Sequence, residues 1–390
     1  MISVEEALSH IFDLVTPVDV ETVPLAQAAG RVLAAPVRAK RTQPPFPASA
    51  MDGYALNGTE AEPHAMFKVI GTAAAGHGFD GHVGPGQAVR IFTGAPVPEG
   101  ATRVIIQEDV TARGDMITLG DALDAGPHIR PAGNDFAEGA TVEPPRRLTP
   151  ADLSLLAAMN IPEVPVRRRP VVAIIATGDE LVMPGEEPGP DQIIASNSFG
   201  LKALVEAEGA EARLLPIARD TKASLETVFG LAEGADLILT SGGASIGDHD
   251  LVGDVAAGLG MEQSFYKVRM RPGKPLMAGR MGTAAMIGLP GNPVSSLVCG
   301  HVFVRPALRA MLGLGAAPAP RHKAPLAAPI GANGPREHYM RAQITPGGLS
   351  VFDRQDSALL SVLAAADALV IRPPHDGPRG AGEAVEYLTL

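Results

Sequence analysis

The chain has 390 residues, enough for about two to four domains of ordinary size, and 46% of them are hydrophobic, so a substantial core is expected. One cysteine, Cys299, excludes an intrachain disulfide and a cysteine-rich zinc site, and a net charge of −11 argues against nucleic acid as a partner. The histidines show neither HxH nor HExxH spacing, no Walker A sequence occurs, and no apolar stretch reaches the ~20 residues of a membrane span.

Ser3-Val4-Glu5-Glu6 reads as a capping box that opens an acidic, amphipathic helix to residue 15. This start is unlike a secretory leader, so a cytoplasmic protein with no membrane partner is expected. A second helix is predicted over 25–33, and Pro44-Pro45-Phe46-Pro47 is a rigid connector. Short runs bounded by glycines follow at 67–71, 88–92, 103–109 and 116–119, which predict a β-rich domain. Thr149-Pro150-Ala151-Asp152 starts another helix, ending near residue 160, and 161–170 reads as a basic linker punctuated by proline.

After Pro170 the pattern changes. The continuous apolar run 171–176 suits a strand covered on both faces. A capped helix over 197–208, a strand over 212–217, a helix over 224–233 and a strand over 236–240 follow. Then come a strand over 284–289 and a helix over 294–312. This alternation implies βαβ units and a mostly parallel sheet. From residue 318 the pattern is β again, at 339–344, 349–353, 368–371 and 384–388. The expected fold class is a multidomain α/β protein. Its parts are a central parallel-sheet α/β domain over 170–318, a β-rich domain over 51–139, an extended helical linker domain from 1–50 and 140–169, and a small C-terminal β-barrel over 319–390.

Three strand ends of the α/β domain carry polar, glycine-rich sequence: Ala176-Thr177-Gly178-Asp179-Glu180, Thr240-Ser241-Gly242-Gly243 continuing to Asp250, and Leu289-Pro290-Gly291-Asn292-Pro293 leading through Val294 to Ser295. Ligands of open α/β sheets sit beyond such ends, and glycine lets backbone N–H groups approach an anion. Any one of them is equally an ordinary strand-to-helix turn; three on one edge point to an anion site. Lys267, Arg269 and Arg271 alternate along the chain, which puts them on one face of a strand, and Lys274 follows a Pro-Gly turn. That strand is either a solvated basic face or an oxyanion cradle, and its position between the second and third loops favours the cradle. Carboxylates near the loops, Asp179, Glu180, Asp248 and Asp250, suit Mg²⁺ beside phosphate oxygens. His249 reads as an exposed loop residue.

Several blocks occur in a fixed order: PASAMDGYA at 47–55, IFTGAPVP at 91–98, Ile129-Arg130 with Gly133 and Asp135, TGDEL at 177–181, Ser241-Gly242-Gly243, Pro272-Gly273-Lys274, and Pro290-Gly291-Asn292-Pro293. Together they resemble the molybdopterin molybdenumtransferase family, which includes the E domain of gephyrin, over nearly the whole chain. The resemblance implies that 170–318 binds molybdopterin and that molybdate is inserted into adenylylated molybdopterin, with release of AMP and the finished cofactor and with Mg²⁺ present. It implies a homodimer with the active site between protomers, together with a molybdopterin-adenylylating enzyme and molybdoenzyme acceptors as partners. Catalytic roles fall on Asp52, Thr93, Asp135, Glu180 and Asp250, and Mg²⁺ ligation on Glu180, Asp248 and Asp250. Substrate contacts fall on Arg130, Thr177, Asp220, Ser241, Gly242, Gly243, Lys267, Arg271, Lys274, Pro290, Gly291, Asn292, Pro293, Ser295, Arg341 and Ser357, of which Arg271, Lys274, Ser295, Arg341 and Ser357 would hold molybdate. Three positions depart from the family pattern. Asn134 stands where an acid is common, Arg271 where lysine is frequent, and Asp356, where glycine is usual, adds negative charge beside Ser357. Two rival readings are a molybdopterin adenylyltransferase, which would lack the 51–139 and C-terminal β domains, and a dimeric scaffold without catalysis, which would not need Asp52, Glu180, Asp250 or the basic cradle.

Overall fold

The computed structural model describes residues 1–242 and 251–390. Two compact units are present: Met1–Glu21, Gly30–Ala34 and Val166–Leu390 form one, and Thr22–Ala29 with Ala35–Pro165 form the other.

In the larger unit, Val171–Ala176, Leu237–Ser241 and Ala284–Leu289 pair in parallel, with Glu211–Leu214 outside the first. Met277–Met281 runs antiparallel to Ala284–Leu289, and Met261–Tyr266 completes a six-stranded sheet. Strand alternation divides the apolar run between two cores. Val172 and Ile174 pack with Leu201, Val205, Val294 and Val298 on one face, whereas Ala173 and Ile175 pack with Leu225, Phe229, Val252 and Val255 on the other. The helix Val4–Leu14 has the expected capping box between Ser3 and Glu6, and its Val4, Leu8 and Ile11 join the first of these cores.

The C-terminal barrel is present. Glu337–Thr345 pairs with Gly348–Val351 and Ala368–Arg372, which continues to Ala384–Thr389 and His322–Pro325; a bridge between Leu326 and Leu349 closes the ring. Leu326, Ala342, Leu349, Ala368, Val370 and Val385 fill its interior.

The smaller unit carries a six-stranded sheet in the order Arg103–Ile106, Gly53–Leu56, Gln87–Ile91, Met66–Ala73, Met116–Leu119, Val110–Arg113. Ala55, Val89, Ile91 and Val104 make the core on one side, and Leu56, Phe67, Ala88, Ile105 and Ile117 on the other. A methyl group at Gly53 would lie 1.9 Å from the Ile105 carbonyl oxygen, so only glycine allows this strand approach beside Asp52. The helix Pro150–Ala158 is capped by Thr149 and Asp152, as its sequence predicts.

Four expectations need correction. The helix expected over 25–33 is a 3₁₀ turn, Leu25–Gln27, followed by the short strand Val32–Leu33; Gly30 between them, at φ 71°, ends helical geometry. The linker over 161–170 contains the strand Glu163–Arg167, whose Val164 and Val166 are buried. The helix over 294–312 is Pro293–Cys299 and Arg305–Met311 with a π turn, Gly300–Val304, between them. Finally, Lys267, Arg269 and Arg271 do not share a strand face. The strand ends at Tyr266, Lys267 takes a left-handed φ of 72°, and Met270–Arg271 pairs with Glu337 and His338 beside the barrel.

Asp236 anchors the sheet at its other end. Its carboxylate accepts two 2.6 Å hydrogen bonds from the Arg168 guanidinium and one of 2.7 Å from Val171 N–H. Burial pushes the Asp236 carboxyl up, but the Arg168 and Val171 bonds and the Arg168 charge outweigh it and hold the group below its ordinary value. A depressed acid stabilises the fold above its unfolded pKa and loses that contribution as pH falls through its folded one. Asp236→Asn is therefore expected to cost about 1–3 kcal/mol at pH 7. The deficit should shrink steadily below about pH 3.9. Urea unfolding at neutral and acid pH measures both; an equal deficit at both pH values would contradict the ion-pair account.

Candidate functional site

The three strand-end loops converge. Ala176, Ser241 and Leu289 lie in register across the parallel strands, so the segments that follow them leave the same edge of the sheet. Thr177 N–H donates to the Ser241 carbonyl, and Gly242 N–H to that of Leu289. Gly242 has φ 104°, and a Cβ at Gly291 would sit 3.4 Å from its Cα, so the second and third loops touch backbone to backbone. Asn197, at the start of its helix, donates from Nδ2 to Ser241 Oγ (2.9 Å) and the Gly291 carbonyl (2.7 Å). One amide thus clips two loops together. Arg219 Nη1 holds the first loop through the carbonyls of Asp179 (3.0 Å) and Leu181 (3.1 Å), and Asp179 Oδ1 accepts from Asp220 N–H.

These loops border a cleft of about 930 Å³, lined among others by Thr177, Glu180, Asp220, Ser241, Gly242 and Asn292. Pro290, Gly291 and Pro293 complete the third loop's share of the wall. The Glu180 carboxylate folds back over Gly178. The Thr177 hydroxyl is buried and makes no hydrogen bond among the described residues. Gly243, Asp248, His249 and Asp250 lie outside the described residues, and so do the roles expected of them.

Ser295 is buried below the third loop, and the Ser357 carbonyl accepts from Val294 N–H at 3.1 Å. Arg341 is buried and bonded locally. Its guanidinium donates to Gln355 Oε1 (3.1 Å), to the Asp356 carbonyl (2.8 Å) and to the Arg354 carbonyl (3.4 Å). Burial lowers its pKa, against the pull of Asp356, and Arg271 adds to the lowering. The carboxylate of Asp356 accepts from Ala358 N–H at 2.8 Å, which takes up part of the charge that is awkward beside Ser357.

The basic residues expected as one cradle are spread out. Lys267 Nζ stands 4.6 Å from the centre of the Tyr266 ring. Lys274 lines a second cleft of about 490 Å³ with Arg269 and Arg336, while Pro275, its chain neighbour, lines the main one. Arg271 is exposed on its short strand next to His338, whose pKa is lowered to about 4 by burial and by Arg271, Arg341, Arg336 and Arg372. That histidine is neutral at pH 7.

In the smaller unit Asp52 and Thr93 form a defined pair. Asp52 Oδ1 accepts from Thr93 N–H at 2.7 Å and from Thr93 Oγ at 2.8 Å. These bonds, the backbone one first, hold the Asp52 carboxyl below its ordinary value, with help from the Arg90 charge. Arg90 is itself fixed between the Tyr54 and Phe92 rings, 4.9 Å from each centre. Gly94, next to Thr93, borders a cleft of about 440 Å³ with Arg41, Phe46, Arg130, Asn134 and Asp135. Arg130 reaches it on a strand paired with Ala48–Ser49.

The sequence reading missed Asn197 and Arg219 as loop holders. A polar residue at a helix start signals a cap, yet the side chain of Asn197 serves two loops distant in sequence. Among the described residues no group of three His, Cys, Asp or Glu is placed to hold a metal, and no helix is long and apolar enough to cross a membrane.

Comparison with known proteins agrees with this architecture. Three family models match in order: the MoeA N-terminal region (domain I and II) over residues 2–160, a probable molybdopterin binding domain over 173–310, and the MoeA C-terminal region (domain IV) over 323–390. The molybdopterin molybdenumtransferase of Nostoc is 38% identical over 80% of this chain and 75% of its own length. Molybdopterin molybdenumtransferase 2 of Mycobacterium tuberculosis is 38% identical over 88% of this chain and 87% of its own. A crystal structure of the molybdopterin biosynthesis MoeA protein from Pyrococcus horikoshii superposes with a TM-score of 0.87 at 28% identity, covering 100% of both chains. With matching domains along nearly its whole length and relatives this similar, the chain belongs to the molybdopterin molybdenumtransferase (MoeA) family.

Proposed function

We propose that this chain inserts molybdenum into adenylylated molybdopterin, releasing AMP and the finished cofactor. The observation that carries the reading is the convergence of three glycine- and proline-rich loops on one cleft at the carboxyl edge of the sheet. Such loops present backbone N–H groups to a pyrophosphate link, and the Thr177 hydroxyl beneath them lacks a partner among the described residues.

Molybdate is a substrate, held in this proposal by Arg271, Lys274 and Ser295, with Arg341 and Ser357 completing its surroundings. Arg341 contributes as a fixed positive charge, because its donors are already turned to protein oxygens. Water activated by bound molybdate attacks the pterin-side phosphorus of the pyrophosphate link and breaks its P–O bond to AMP, which departs; the two dithiolene sulfurs then displace one molybdate oxygen, which leaves as water with the two thiol protons. Positioning and electrostatic stabilisation supply the rate, and no protein nucleophile is required.

Mg²⁺ fits the cleft. Glu180 offers a hard oxygen donor there, and among the described residues no thiol or imidazole lines it. Glu180 would hold the ion with Asp248 and Asp250, and when bound it would neutralise charge on the phosphate oxygens. We further propose a cytoplasmic homodimer in which Asp52, Thr93, Arg130 and Asp135 of one protomer face the partner's cleft, with a molybdopterin-adenylylating enzyme upstream and molybdoenzyme acceptors downstream.

The direct test is release of AMP from adenylylated molybdopterin. Release that depends on added molybdate is expected. Consumption of ATP with build-up of adenylylated pterin would instead identify an adenylyltransferase.

A further inference from the structure

A strand normally buries at least one of two successive residues, since their side chains point to opposite sides. Ile193–Ile194 departs from this: Ile193 is 59% exposed and Ile194 38%, and both line the main cleft. The strand is firmly seated. It pairs in parallel with Leu181–Val182, Ile193 N–H donates to the Glu180 carbonyl at 2.7 Å, and Ala195 N–H donates to that of Val182 at 2.9 Å. The connecting segment 183–192 is closed on itself, with the Glu186 carboxylate accepting from Met183 N–H (2.8 Å) and Gln192 Oε1 from Gly189 N–H (3.1 Å). Two stiff, branched apolar side chains are thus held in water beside a catalytic loop.

We propose that this pair of isoleucines is the seat of the flat fused heterocycle of the bound pterin nucleotide. The inference rests on the reading of the cleft given above and names the part of the ligand that each wall takes. The loop wall offers N–H donors and suits the pyrophosphate. The isoleucine wall offers an apolar surface and suits a ring face. The Asp220 and Asp254 carboxylates border the same cleft and suit ring amino groups, which need acceptors. The volume, about 930 Å³, lies within the range that holds a ligand of this size. Because the wall is preorganised, little ordering cost opposes binding. Adenine and pterin share the chemistry required, and the test separates them.

The experiment is calorimetric titration of the full chain with three probes: AMP, 6-hydroxymethylpterin, and pyrophosphate, which has no ring. The wild type is compared with Ile193→Ser/Ile194→Ser and with Ile193→Leu/Ile194→Leu. The serine variant is expected to bind at least one ring-bearing probe about tenfold more weakly, with pyrophosphate unchanged. The leucine variant should restore the loss, and the probe affected identifies the ring that the wall receives. Unchanged binding of both ring probes would overturn the proposal. So would an equal loss for pyrophosphate, which would assign the strand to loop support; the single variant Ile194→Ser guards against a folding defect in the double one. If the wild type binds none of the three, the reading of the cleft itself fails, which is a different result from loss of ring preference alone.

Discussion

Gly242→Ala should abolish most activity and also lower stability. A Cβ at this position would lie 2.5 Å from the Thr177 carbonyl oxygen and 2.8 Å from Thr177 Oγ, and the residue sits at φ 104°, where side chains are strained. Strain of this kind costs about 1–3 kcal/mol. Overpacking adds about 1–3 kcal/mol more. Against a typical stability of about 5–15 kcal/mol the fold survives. The first and second loops, however, must move apart, and a displacement of about 1 Å at a reacting centre costs on the order of 100-fold in rate. Gly230→Ala is the control. It lies in the helix Lys222–Leu231 with nothing within 4 Å of its added methyl, so it should be neutral or stabilising by about 0.5–1 kcal/mol. Thermal unfolding and the AMP-release assay, run on both variants, measure the contrast. Equal behaviour of the two would remove the loop contact from the account.

Asp52→Ala should lower molybdate insertion by about 100-fold or more while changing unfolding only slightly, because among the described residues its carboxylate bonds only Thr93 and supports no core. Glu180→Gln should do the same from the other unit. In the proposed homodimer each active site takes Asp52 from one protomer and Glu180 from its partner. Mixing and re-annealing the two inactive variants should then recover about a quarter of wild-type activity, since half of the dimers are mixed and each of those carries one intact site. No recovery would place both residues in the same chain's site and contradict the shared arrangement.

Features written into neighbouring residues were legible from the sequence. The capping box at Ser3 and the helix start at Thr149-Pro150 follow from spacing alone, and so does the barrel's alternation. The three strand-end loops were legible because strand direction and glycine position are both local, and parallel pairing then brings them to one edge. What failed depends on contacts far along the chain. The alternating basic residues at 267–271 read as one face, but Lys267 turns left-handed where its backbone is tied to Ile2 and Leu276. The bonds of Arg341 to the carbonyls of Arg354 and Asp356, which fix its guanidinium, were not legible either. Asn197 looks like a cap, and only the folded sheet shows that its amide reaches Ser241 and Gly291.

The decisive measurement is a crystal structure of the full chain soaked with AMP and molybdate. The AMP phosphate is expected against the backbone of 177–180, 241–242 and 290–293, with molybdate beside it near Lys274. Well-ordered AMP bound at any other surface, with this cleft left to solvent, would contradict the assignment.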